Sequence, residues 1–292
     1  MFVGSLVALV TPMKADGAID ENALRHLVDI HITKQTDALV VNGTTGESAT
    51  LSFEEQLEVL RIVIDEACGR LPIIAGTGSN ATQEAILKTQ RALSLGADAC
   101  LVVSPYYNRP TQEGLFQHYQ AIAQAVDIPL ILYNVPSRTG VDLLPETVIR
   151  LSRVPGILGI KECAPDALLR IKRFTSECME GFSVYAGNDE QGLEALRVGA
   201  QGIISVVANV VPEAVKEYVS CALSQDFYKA AERFKQLEPL IRALSLESNP
   251  IPTKWALHKM KWIDVGIRLP LTPLSAQYHD QVQEALENML PL

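Results

Sequence analysis

Lys161 closes the short run Gly156-Ile157-Leu158-Gly159-Ile160 and is followed at once by a carboxylate, Glu162. An apolar run of this length after Val154-Pro155 reads as a strand buried on both faces, as in a parallel sheet. Lys161 therefore stands where that strand leaves the core. Pointing inward, it would lose water, and burial would disfavour its ammonium form. The neutral amine would then be a nucleophile toward a carbonyl. Pointing outward, it is an ordinary solvated charge, and a buried lysine is expensive. The choice rests on what the other strand ends carry.

They carry hydroxyls. Thr11, Thr44-Thr45, Thr77, Tyr106-Tyr107, Tyr133-Asn134, Gly187-Asn188 and Ser205 each follow an apolar run. Imine chemistry needs an amine and a neighbouring group that moves protons through the carbinolamine. Tyr133 ends the run just before that of Lys161 and is placed for this. A phenol with a pKa of about 10 is a poor base alone and needs a hydroxyl relay. Thr45 and Tyr107 are the available groups. Either could equally serve its own loop or packing, but several hydroxyls and one amine on one face make a site. The loop Gly43-Thr44-Thr45-Gly46 also offers hydroxyls and backbone N–H groups to a carboxylate. Arg138 can grip a second carboxylate in a bidentate pair, or can simply be a turn arginine. No histidine falls at a strand end: His26, His31, His118, His258 and His279 all lie in helical stretches. A metal-dependent aldolase would need such ligands there, so neither a metal nor another cofactor is expected.

The elements that must position these residues alternate regularly. Strands are expected over 4–10, 38–41, 73–75, 99–103, 130–132, 156–160, 182–186 and 202–205, each followed by a stretch of helical period. Asp20 is expected to cap the first helix, and Ser52 with Glu55 reads as a capping box. Eight strand–helix units imply right-handed parallel crossovers and an α/β fold, the (β/α)8 barrel, with its active site at the C-terminal strand ends. No GxGxxG follows a strand, which weakens a dinucleotide-binding sheet. Beyond about residue 225 only helical period remains, over 227–246, 252–262 and 275–289. The expected division is a barrel at 1–224 and a three-helix domain at 225–292.

With 25 Lys+Arg against 34 Asp+Glu the net charge is −9, and no basic run offsets it. Neither nucleic acid nor an anionic membrane is an expected partner. The five cysteines are odd in number and scattered, which suits reduced thiols in the cytoplasm. No secretory leader or membrane-spanning run is read in the chain.

In combination these motifs resemble the dihydrodipicolinate synthase / N-acetylneuraminate lyase superfamily, most closely its synthase branch. Gly43 to Glu47, Tyr106-Tyr107-Asn108, Tyr133 to Gly140, Gly159 to Glu162 and Asn249-Pro250-Ile251-Pro252 carry the likeness over essentially the whole chain. The resemblance implies a Schiff base between Lys161 and pyruvate, whose enamine attacks the aldehyde of L-aspartate 4-semialdehyde. Cyclisation would give 4-hydroxy-tetrahydrodipicolinate, the committed step of lysine and diaminopimelate biosynthesis. It implies Tyr133 as proton shuttle and Thr45 and Tyr107 as relay, Tyr107 reaching in from a neighbouring subunit. Thr44 and Thr45 would hold the pyruvate carboxylate, Arg138 the semialdehyde carboxylate, and the backbone at Gly187 and Ile204 would line the site. A homotetramer of tight dimers is implied. Ser48, Ala49, Asn80, Glu84 and Tyr106 match the family's lysine-inhibitor positions. Two departures stand out: Cys163-Ala164-Pro165-Asp166 alters the loop after the sixth strand, and Phe53 and Gln56 replace histidines of feedback-sensitive members. Two other readings share the residues. A sister lyase of N-acetylneuraminate or a 2-keto-3-deoxy sugar acid would want hydroxyl-binding groups where Arg138 stands. A non-catalytic barrel binding a 2-oxo acid would have no use for the amine.

Overall fold

The computed structural model describes residues 2–289; Met1 and residues 290–292, the outer ends of the two expected domains, lie outside them. Eight strands close a parallel barrel in chain order: β1 (Gly4–Ala8), β2 (Ala38–Val41), β3 (Ile73–Gly76), β4 (Ala99–Val103), β5 (Leu130–Asn134), β6 (Ile157–Glu162), β7 (Ser183–Ala186) and β8 (Gly202–Ser205). The helices are α1 (Glu21–Thr33), α2 (Phe53–Ala67), α3 (Thr82–Leu95), α4 (Gln112–Ala125), α5 (Pro136–Thr139), α6 (Pro145–Leu151), α7 (Ala167–Glu177), α8 (Gly192–Arg197) and α9 (Pro212–Leu223). After them come α10 (Phe227–Ala243), α11 (Ile251–Lys259) and α12 (His279–Met289). The (β/α)8 barrel with C-terminal helices is thus the fold that forms.

Strand residues divide by parity, because successive side chains face opposite sides of a strand. Leu6, Ala8, Val40, Ile74, Leu101, Ile131, Tyr133, Cys163, Tyr185 and Ile204 meet inside the barrel. Their neighbours, such as Val7, Leu39, Val102, Leu132 and Ile160, pack outward against the helices in one larger core. Burial on both faces explains why the strands read as unbroken apolar runs. Phe234, Leu237, Leu240, Ile251 and Trp255 of the last helices join that same outer core.

Local signals hold where they were read. The Asp20 side chain accepts from Ala23 N at 3.1 Å, and both bonds of the Ser52–Glu55 capping box are present. The differences have local causes. β5 and β6 run longer than expected, because the ladder continues through the pairs Tyr133–Lys161 and Asn134–Glu162. The short α5 was not expected; it opens on Pro136 and stops at Gly140, whose φ of 73° only glycine adopts cheaply. After β7 the expected helix begins as a 3₁₀ turn, since Asp189 is held by Ser205 and by the N–H groups of Val206 and Val207. Ser275 likewise bonds Glu247, and α12 starts only at His279. Among the described residues no helix is long and apolar enough to cross a membrane.

Candidate active site

Parallel pairing sets Tyr133 of β5 beside Lys161 of β6, so both side chains enter the barrel at its C-terminal end. Lys161 is 5 % exposed, and its Nζ lies 4.5 Å from the centroid of the Tyr133 ring. Burial lowers the pKa of the amine; the Arg138 charge acts the same way, while Cys163 and Asp189 oppose it. Burial also pushes the Tyr133 phenol well above its ordinary value, opposed by the Thr44 hydroxyl and Arg138. Both shifts favour the uncharged forms, an amine that can act as nucleophile beside a phenol that can donate a proton. Glu162 has the opposite parity and points away from the site. It accepts from Asn134 and from Ala164 N at 2.7 Å, and burial lifts its pKa to about 7.

A compartment of about 250 Å³ surrounds the amine, lined among others by Thr44, Thr45, Arg138, Cys163, Gly187 and Asn249. Two further compartments, of about 340 and 780 Å³, share Arg138 and Asn249 with it, so the three form one cleft. Gly187 packs directly on the lysine stem: a Cβ there would run into Cys163 Sγ and stand 2.7 Å from Lys161 Cε. Arg138 is exposed, and its Nη2 donates to the Asn249 carbonyl at 3.4 Å. Thr11 and Thr77, by contrast, are turned to structural partners, the Gly46 carbonyl and the Thr89 hydroxyl.

Thr44 and Thr45 both border the compartment of Lys161 and Tyr133, and Thr45 Oγ1 accepts from Asn249 Nδ2 at 2.9 Å. Tyr107 does not converge on the site of its own chain. It is 90 % exposed, and its φ of 72° throws the ring outward from the rim. Ile204 is fully buried in the barrel interior, below the cleft. Of the inhibitor-pattern residues, Ser48, Ala49 and Tyr106 line the 340 Å³ compartment. Asn80 donates to the Tyr106 carbonyl, and Glu84 pairs with Lys88 at 3.0 Å. The Gln56 amide is spent on the carbonyls of Ser48 and Leu51.

Cys163 and Asn249 line the compartment without having been read as site residues from the sequence. Cys163 was taken only as a loop departure. It shares the parity of Lys161, two residues on, and that alternation was the available signal; burial raises its thiol to about 11. Asn249 enters the sequence reading only within the Asn249-Pro250-Ile251-Pro252 motif; it lies 204 residues from the Thr45 it bonds, and that contact has no local signal. Among the described residues no three His, Cys, Asp or Glu side chains gather as a metal site would require.

A closed parallel barrel with a desolvated lysine at a strand end, a phenol beside it and an arginine at the rim defines a lysine-dependent carbonyl-condensing enzyme. Comparison with known proteins narrows the class. The dihydrodipicolinate synthetase family model matches residues 1–289, and the chain belongs to that family. It is 55 % identical over 286 residues to the 4-hydroxy-tetrahydrodipicolinate synthase of Methylococcus capsulatus, and 52 % identical over 286 residues to that of Pseudomonas aeruginosa. In each comparison 98 % of both chains is covered. Its fold superimposes with a TM-score of 0.97 on the chloride-inhibited dihydrodipicolinate synthase of Acinetobacter baumannii complexed with pyruvate, at 50 % identity and with 99 % of each chain covered.

Proposed function

We propose that this chain is a class I aldolase that condenses pyruvate with L-aspartate 4-semialdehyde to give 4-hydroxy-tetrahydrodipicolinate, the entry to lysine and diaminopimelate. The observation that carries the reading is the buried Lys161 amine against the Tyr133 ring, in a chain that the family model matches over residues 1–289. The amine adds to C2 of pyruvate, and Tyr133 protonates the carbinolamine hydroxyl, which leaves as water. The Tyr133 phenolate, through its relay, takes a proton from C3, which gives the enamine and restores the phenol. That carbon attacks the aldehyde, and the phenol protonates the resulting alkoxide. The semialdehyde amino group then adds to the imine carbon, closing the ring and releasing Lys161.

Thr44, facing the phenol, is the first hydroxyl of the relay, and Tyr107 of a neighbouring subunit completes it. Thr44 and Thr45 hold the pyruvate carboxylate and Arg138 that of the aldehyde, while the backbone at Gly187 lines the pocket and that at Ile204 its floor. A homotetramer built from tight dimers suits the 90 % exposed Tyr107 and the 78 % exposed Leu269 near the cleft. The cytoplasm suits the five free cysteines. Residues 1–224 act as the catalytic barrel and 225–292 as a helical domain at its mouth. Feedback by L-lysine is weak in this reading, because Lys88 already neutralises Glu84 and Phe53 offers no polar group.

Turnover tests the assignment. Coupled assay with pyruvate and aspartate semialdehyde is expected to proceed, and N-acetylmannosamine is expected to fail as acceptor. The reverse preference would make the chain a sugar-acid lyase.

A further inference from the structure

Asn249 stands between α10 and α11, outside the barrel, yet it borders all three compartments of the cleft. Its Nδ2 donates to Thr45 Oγ1 at 2.9 Å, and its carbonyl accepts from Arg138. The segment that bears it is firmly anchored. Lys254 of α11, 4 % exposed, pairs with the buried Glu47. Arg268 donates through its backbone to Glu47 at 3.1 Å, and through its side chain to the Thr50 carbonyl and both oxygens of Glu55. All of these anchors land on the stretch that follows Thr44-Thr45.

A hydroxyl has one proton to give and lone pairs that receive. With Asn249 donating into a lone pair, the Thr45 proton is left for another acceptor, and Thr45 borders the compartment that holds Lys161. An anion bound there needs donors. We infer that Asn249 is a positioning residue that turns the Thr45 hydroxyl into a donor to the carboxylate of the 2-oxo acid condensing with Lys161. The C-terminal segment thereby completes a substrate subsite of the barrel. The inference rests on the pyruvate reading of the site. The opposite amide orientation would consume the Thr45 proton and leave the anion without it.

Asn249→Asp separates the two, since it keeps the shape and replaces the donor by an acceptor. The expected result is a rise in KM for pyruvate of about ten- to a hundredfold, the range of one hydrogen bond to a charged group. The KM for the aldehyde and kcat should change only a few-fold. Asn249→Ala, which adds no charge, should move KM the same way by less. In a Thr45→Val background Asn249→Ala should add nothing, because the two act as one unit. Adduct formation on borohydride reduction at saturating pyruvate reports that each variant keeps its fold and its Lys161. An unchanged KM in Asn249→Asp, or fully additive losses in the cycle, would overturn the inference. Wild type that gives no adduct would overturn the pyruvate reading itself, a distinct result.

Discussion

At the scale of the residue, chemistry is set by parity and burial. Lys161 and Tyr133 share one register pair, so one dry barrel interior perturbs both, lowering the amine and raising the phenol. Reversible imine formation at Lys161 should therefore reach its pH plateau well below the ordinary lysine pKa of about 10.4, as followed by borohydride trapping rates. A plateau only above that value would mean a solvated amine. Tyr133→Phe should lower kcat by about a hundred- to ten-thousandfold, while prolonged incubation with pyruvate still yields some adduct. Gly187→Ala would push the lysine stem aside, and a displacement of this kind costs about a hundredfold in activity with the barrel still folded. Part of this was legible in the sequence: the apolar run puts Lys161 at a strand end with its direction open, and the hydroxyls at the other strand ends argue for the interior. The Asn249 contact of Thr45 was not, since adjacent hydroxyls on a tight loop differ only by backbone torsions that tertiary contacts decide.

At the scale of the element, the parity that sends Lys161 inward sends Glu162 into the layer between β6 and α7. Its pKa of about 7 in the fold exceeds the ordinary carboxylate value, so the folded state binds the proton more tightly than the unfolded chain. Its contribution is thus present at low pH and is lost as pH rises from about 4.5 to 7, to the extent of about 3 kcal/mol. Denaturant unfolding of Glu162→Gln against wild type should give a stability difference that favours the variant increasingly across that window. A pH-independent difference would show that Glu162 is ionised in the fold. Boundaries of β2, β4 and β8 coincide with the sequence reading, because strand-length apolar runs define them. The late helix starts after β7 and before α12 fall where a distant side chain holds the backbone, as Asp189 does with Ser205 and Ser275 with Glu247.

At the scale of the whole molecule, the C-terminal helices touch the chemistry through contacts that no local pattern encodes. Lys254 and Glu47 are 207 residues apart, and both are buried. Lys254→Met should destabilise the protein by about 3–5 kcal/mol in denaturant unfolding, because Glu47 is left without its cation. Adding Glu47→Leu should recover part of that loss; a further drop would place the cost in packing rather than charge. The exposed Tyr107 makes assembly a testable part of the site. Mixing inactive Lys161→Ala chains with impaired Tyr107→Phe chains, followed by subunit exchange, should restore activity, since a hybrid pair contains one intact set of groups. No gain on mixing, with hybrids demonstrated, would place Tyr107 outside the reaction.

The central claim is the covalent chemistry of Lys161, and intact-protein mass spectrometry after borohydride reduction with pyruvate tests it most directly. Wild type should gain one pyruvate-sized adduct per chain, mapping to the peptide that contains Lys161, and Lys161→Ala should gain none. An adduct retained in Lys161→Ala, or absent from active wild type, would contradict the account.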